Sequence, residues 1–288
     1  MTASSISAGA WFQAPTCASL ELSLEMRLRN TVRVHGSGAT QNAAQRLLVD
    51  LRAYQRGELV YAKDNFGEIA PAGTLVVREA ELALPVAVPA QPEDEVLLVA
   101  RVRRDGSESF ASQEHHLVYT HRISRTQAHL LYDQQPARAP NAVTAPIVFL
   151  MPKIWIGGDI STYLVVCNAW DVVGPRQQPQ PVRFSLLDEH GDEVSSWEYT
   201  FFYNEAKVFD LRARLGARAG GTPGPKFFNL VGRGGASSFV LFAMVRNLKS
   251  NHFAVEHSLP PIYYMDGPMA SVRTQGCDLT LMERRPAS

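Results

Sequence analysis

One stretch of this chain occurs twice, and that constrains the fold more than any other feature. Residues 96–119 read VLLVARVRRDGSESFASQEHHLVY, and residues 239–264 read FVLFAMVRNLKSNHFAVEHSLPPIYY. Aligned with one small gap and one Pro-Pro insertion, they share Leu98/Leu241, Ala100/Ala243, Val102/Val245, Arg103/Arg246, Ser107/Ser250, Phe110/Phe253, Ala111/Ala254, Glu114/Glu256, His115/His257, Leu117/Leu259 and Tyr119/Tyr263. The offset is 143 at the alanines and 142 at the Glu-His step, about half of the 288 residues. The expectation is two copies of one unit. Each copy keeps a Glu-His-Leu-Tyr set beside its apolar residues.

The local pattern inside each unit is that of strands. Leu20, Leu22, Leu24, Met26 and Leu28 alternate with Glu21, Ser23, Glu25, Arg27 and Arg29, the period of a half-buried strand with one wet face. Leu47–Tyr54 and Leu59–Ala62 flank Gln55-Arg56-Gly57-Glu58, which suits a hairpin. Thr74–Val77 is a further strand. Residues 42–49 fit a short helical turn or the start of a strand. Val96–Val102 is a core strand, Arg104-Asp105-Gly106-Ser107 turns, and Phe110–Tyr119 returns. An ion pair of Arg103 with Glu114 across that hairpin is expected.

In the second half, Tyr163–Asn168 is an apolar strand, and Val182, Phe184 and Leu186 alternate before the turn Glu189-His190-Gly191-Asp192. Trp197, Tyr199, Phe201 and Tyr203 share one strand face, which is expected in the core. Asp210–Leu215 suits one helical turn, residues 217–225 a loop, and Gly232-Arg233-Gly234-Gly235 a flexible loop before the Phe239 strand.

Short strands, Gly/Pro turns and no sustained 3.6-residue period predict an all-β chain. The expected architecture is two tandem antiparallel β-sandwiches, immunoglobulin-like in pattern and related by internal duplication. The cysteine pair with a central tryptophan that marks true immunoglobulin domains is missing. Residues 1–17 are expected as a loose leader, 18–135 as the first sandwich, 136–146 as a Pro/Ala linker, 147–283 as the second sandwich and 284–288 as a tail.

Composition narrows the functions. The 28 basic and 28 acidic residues cancel, so no net field draws the chain to nucleic acid or an anionic membrane. No apolar run reaches membrane-spanning length. Cys17, Cys167 and Cys277 are far apart and lack CxxC spacing, and the first residues do not read as a secretory signal. A soluble, cytoplasmic protein is expected. No GxSxG elbow or phosphate-binding Lys-Ser follows any glycine cluster.

The polar residues retained in both copies are the candidate chemistry. Along one strand, His115 and His116 point to opposite faces, and His115 and His121 stand roughly 20 Å apart at about 3.3 Å per residue. One strand therefore builds no metal site, and no metal or other cofactor is expected. Two copies facing each other would bring Glu114, His115, Glu256 and His257 together, a set able to hold zinc, manganese or iron. The same set could run acid-base chemistry, with Tyr119 or Tyr263 as proton donor. The plainer alternative is structural, each Glu-His pair bonding its own sheet and each tyrosine closing a corner.

A third alternative is recognition by the aromatic, proline-stiffened segment Phe253, His257, Tyr263 and Tyr264. The expectation is thus a non-catalytic binding or assembly protein. It would hold a protein, glycan or apolar small molecule in the inter-domain cleft or on that segment. The alternative is an enzyme with a Glu/His/Tyr site between the repeats.

Overall fold

The structure is a computed structural model of the chain, and it describes residues 5–11, 20–28, 46–70, 73–78, 82, 95–104, 113–132, 135–136, 147–168, 179–217, 224–234, 239–257 and 262–263. Strands of the first half are β1 (Ser5–Trp11), β2 (Leu20–Leu28), β3 (Leu47–Gln55), β4 (Glu58–Ile69), β5 (Thr74–Arg78), β6 (Val96–Arg104), β7 (Gln113–His121), β8 (Gln127–Tyr132) and β9 (Gln135–Pro136). Those of the second are β10 (Ile147–Ile156), β11 (Ile160–Asn168), β12 (Gln180–Leu187), β13 (Glu193–Phe201), β14 (Glu205–Asp210), β15 (Lys226–Gly234), β16 (Phe239–Asn247), β17 (Phe253–His257) and β18 (Ile262–Tyr263). One short helix, α1 (Leu211–Leu215), follows β14.

The first half forms two antiparallel sheets of order β4-β3-β6-β1-β9 and β5-β2-β7-β8. The second forms sheets of order β13-β12-β15-β10-β18 and β14-β11-β16-β17. Strand for strand the orders are the same, so the chain is all-β and duplicated at the level of topology. Residues 5–11, expected in a loose leader, instead run as β1 inside the first sheet, with Ser5 opposite Val102 and Trp11 opposite Val96.

The topology also corrects which strands correspond. β6 lies in the first sheet and β7 in the second, so the stretch 96–119 is no hairpin but a crossing between layers. Its counterpart is the β15–β16 crossing. The stretch 239–257 is a true hairpin, with Ala243 opposite Glu256 and Phe242 opposite His257. Hence β6 matches β15 and not β16, and β7 matches β16 and not β17. The two similar stretches occupy non-equivalent places, and the expected Arg103–Glu114 hairpin pair falls with them. Residues 232–234, expected in a loop, complete β15.

Local sequence explains most strand ends. Arg56 and Gly57 both take positive φ, 51° and 82°, as a tight turn between antiparallel strands requires. Asp210 caps α1 by accepting from the Arg212 and Ala213 amides. Leu211 and Leu215 then drop from α1 into the second core.

The described residues form two apolar cores, and one is shared by both halves. Leu51, Leu98, Ala100, Leu117 and Tyr119 of the first half pack in one cluster with Tyr163, Val165, Cys167, Phe242 and Met244 of the second. Leu164, Val166, Leu241 and Ala243, on the opposite face of the same second-half strands, enter the other core with Phe184, Trp197 and Phe201. The β14-β11-β16-β17 sheet is therefore covered on both sides. That is why β11 reads LVVC with no polar alternation.

Candidate functional site

The sequence singles out the two Glu-His steps, at 114–115 and 256–257. In register, Glu114 stands opposite Arg27 and His115 opposite Met26 on one side, with His115 opposite Tyr132 on the other. Glu256 and His257 lie on an outer strand, opposite Ala243 and Phe242. The side chains of Glu114, His115, His257 and Tyr263 lie outside the described residues, as do Tyr264 and the Pro-Pro insertion.

Tyr119 is fully buried, its ring 5.8 Å from that of Phe242. The structure thus sets Tyr119 beside the partner strand of His257, with His115 four residues earlier on β7. Tyr119 is a core residue at the junction of the halves. Phe253 is half-buried against the same core.

Sequence reasoning missed the polar junction. Glu95, just before β6, is buried and accepts from Lys207 Nζ at 3.2 Å and from the Val208 amide at 3.0 Å, both on β14. Burial pushes its carboxyl above the ordinary range, and the Lys207 ammonium and Val208 amide pull it partly back. Burial, with Glu95 nearby, also raises the Cys167 thiol. Glu205 closes the turn into β14, accepting from the Tyr199 hydroxyl at 2.5 Å and the Phe202 amide at 2.7 Å. Its carboxyl is likewise raised by burial against the pull of Tyr199. The positive charges of Lys207 and, more weakly, of Arg56 in the first half also pull the Glu205 carboxyl down. No motif announces this cluster, because its members are scattered along the chain.

Other titratable groups serve turns. Buried His121 accepts the Ser124 amide at Nδ1, 3.1 Å away. Asp188 accepts from the His190 and Asp192 amides in the β12–β13 turn. Among the described residues no three His, Cys, Asp or Glu side chains gather as metal ligands.

A second feature lies on the outer face of the second sandwich. The ladder between β10 and β15 shifts register between Met151 and Ile154. Beyond that bulge Trp155 points away from the core, 41% exposed, while its neighbours Ile154 and Ile156 are buried. The buried Thr162 hydroxyl donates to the Trp155 carbonyl at 2.7 Å and accepts from its amide at 3.2 Å. Phe227, opposite Trp155 in register, meets the indole edge-on with ring centroids 5.5 Å apart.

No family model and no curated protein matches this chain. Among solved structures, a glycosyl hydrolase family 2 member from Bacteroides cellulosilyticus is similar over 90% of this chain and 27% of its own, at 8% identity and a TM-score of 0.19. This chain spans about a quarter of that protein's length. The apo form of the Pleurotus ostreatus lectin is similar over 93% of this chain and 85% of its own, at 10% identity and a TM-score of 0.21. Likenesses this slight bear no weight, and the fold assignment rests on the strands and registers above.

Proposed function

We propose that the chain is a non-catalytic binding or assembly protein. It holds a protein, glycan or apolar small-molecule partner at the junction of its halves or on an aromatic surface of the second half. The observation that carries this is the shared core, in which Tyr119 and Leu117 pack with Phe242 and Val165. A continuous core fixes one sandwich relative to the other, and a rigid β scaffold presents loops and faces for recognition without reordering on contact.

An acid-base or metal site built around a twofold relation of the repeats would need the two Glu-His steps at equivalent places. Those steps occupy β7 and β17, which do not correspond. The buried carboxylates Glu95 and Glu205 are each bonded to backbone amides and side chains that hold strands together. A cytoplasmic setting belongs to the same proposal, supported by Cys167, a free thiol in the core. No helix among the described residues is long and apolar enough to cross a membrane.

The test pairs His257→Ala with a thermal melt and a binding screen against immobilised glycans, peptides and an apolar fluorophore. Binding by the native chain, lost in the variant at unchanged melting temperature, places the partner on the β17 segment. A large fall in melting temperature with binding retained assigns His257 to the fold and moves the partner elsewhere. Absence of binding throughout, together with turnover of any screened compound, overturns the proposal.

A further inference from the structure

Trp155 differs from the other large apolar side chains that face solvent. Leu59, Ile123, Phe202 and Leu248 are also exposed. Scattered exposed apolar residues are ordinary and imply nothing by themselves. Trp155 is instead built in place. A bulge turns it outward. Such bulges re-aim side chains, often beside binding sites. The buried Thr162 hydroxyl holds both its backbone amide and its carbonyl. Phe227 braces the indole with the two ring planes 68° apart. The result is a rigid aromatic corner, open to water, whose ordering cost was met on folding.

The surroundings define the occupant. Alternation along β15 puts Asn229 on the same outer face as Phe227, half-buried and opposite Leu187. On the next strands, Arg183 is paired with Glu193 at 3.3 Å, and Ser185 donates to Glu193 at 2.6 Å. Arg233 and Glu198, both exposed, stand opposite Arg183 in register, so two arginines face two glutamates among the described residues and leave no net field for a polyanion or an anionic membrane. Two apolar rings beside an amide and a neutralised polar surface complement an uncharged ligand with one C–H face and a rim of hydroxyls. A pyranose has that chemistry.

We propose that Trp155 and Phe227 form a carbohydrate-stacking corner, with Asn229 hydrogen-bonding the hydroxyls of a neutral sugar. This rests on the chain being a binding protein and names the ligand class and its place. Thr162 is a positioning residue for the indole.

Affinity electrophoresis through gels containing a neutral β-glucan, xylan or galactomannan tests it, with polygalacturonate as the charged control. Fluorescence titration with glucose, galactose, mannose and their N-acetylamino forms accompanies it. The native chain is expected to be retarded by at least one neutral polymer. Trp155→Ala should weaken that by about tenfold, the scale of one lost aromatic contact. Asn229→Ala should weaken it several-fold, Trp155→Tyr should largely restore it, and Leu59→Ala should leave it unchanged. Circular-dichroism melts confirm that each variant is folded. Retardation equal in Trp155→Ala and the native chain overturns the site while leaving a binding protein in place. Retardation by polygalacturonate alone overturns the neutral-ligand assignment. No retardation and no titration by any sugar overturns the carbohydrate class, and the His257→Ala screen then reports separately on binding as such.

Discussion

Lys207 donates to Glu95 across 3.2 Å, joining two residues 112 apart in sequence and one half of the molecule to the other. The same carboxylate takes the Val208 amide, so one side chain satisfies two donors of β14. Glu95→Ala deletes both acceptors. The Val208 amide is then left without its partner, at a cost of about 1–3 kcal/mol. Glu95→Gln keeps an acceptor for that amide and should cost less than half as much. Urea unfolding of the three proteins should rank them native, Gln, Ala in falling midpoint. An alanine variant as stable as the native chain would show that the clasp contributes nothing.

The pH dependence of stability follows from the same cluster. Burial raises the carboxyls of Glu95 and Glu205 above the ordinary value of 4.5 in the folded chain. A raised folded pKa means the native state holds its proton more tightly than the unfolded chain. The stability from these groups is complete below that ordinary value and is lost as the pH rises through the folded pKa. The melting temperature of the native chain relative to Glu95→Gln should therefore fall as pH rises from about 4.5 toward neutrality. A relative melting temperature that climbs over that range would mean the Lys207 ion pair outweighs the burial cost.

The shared core makes a cooperative prediction. Phe242 is fully buried and touches Tyr119 of the other half. Phe242→Ala should cost about 3–5 kcal/mol through lost burial and the cavity left behind. Because the cluster spans both halves, calorimetry should show one transition moving down as a unit. Two separated transitions, with only the later residues destabilised, would show that the halves fold independently.

How much of this was legible in the sequence depended on the range of the interaction. The strict alternation of β2 and the apolar run of β11 report burial directly, and both strands form where expected. The Trp197-to-Tyr203 stripe also lies inward, with Trp197, Phe201 and Tyr203 buried. β1 was hidden because Ser5–Trp11 is mostly small residues, and its strand form is imposed by pairing with β6. The repeat misled for a related reason. An apolar strand followed by a Glu-His strand looks the same whether the chain folds back within a sheet, as β16–β17 does, or crosses to the opposite layer, as β6–β7 does. Trp155 escaped notice because the Met151–Ile154 bulge breaks the period that would have placed it on the outer face. The Glu95–Lys207 clasp is a tertiary contact with no local signature.

Two glycines separate backbone strain from steric crowding. Gly216, at the C-cap of α1, and Gly234, at the end of β15, take φ values of 57° and 110°, in the region side chains disfavour. A Cβ on Gly216 meets nothing within 4 Å, whereas one on Gly234 comes within 2.6 Å of the Pro181 carbonyl oxygen. Gly216 joins its positive φ to a ψ of -132°, outside the left-handed helical region, so Gly216→Ala should cost about 1–3 kcal/mol from backbone strain alone. Gly234→Ala must also push β12 away from β15, because the obstacle is backbone, and should cost about 1–3 kcal/mol more than Gly216→Ala. Chemical denaturation of both variants checks the order. Equal losses would mean that β12 yields freely at Pro181 and that the ladder there is looser than its register implies.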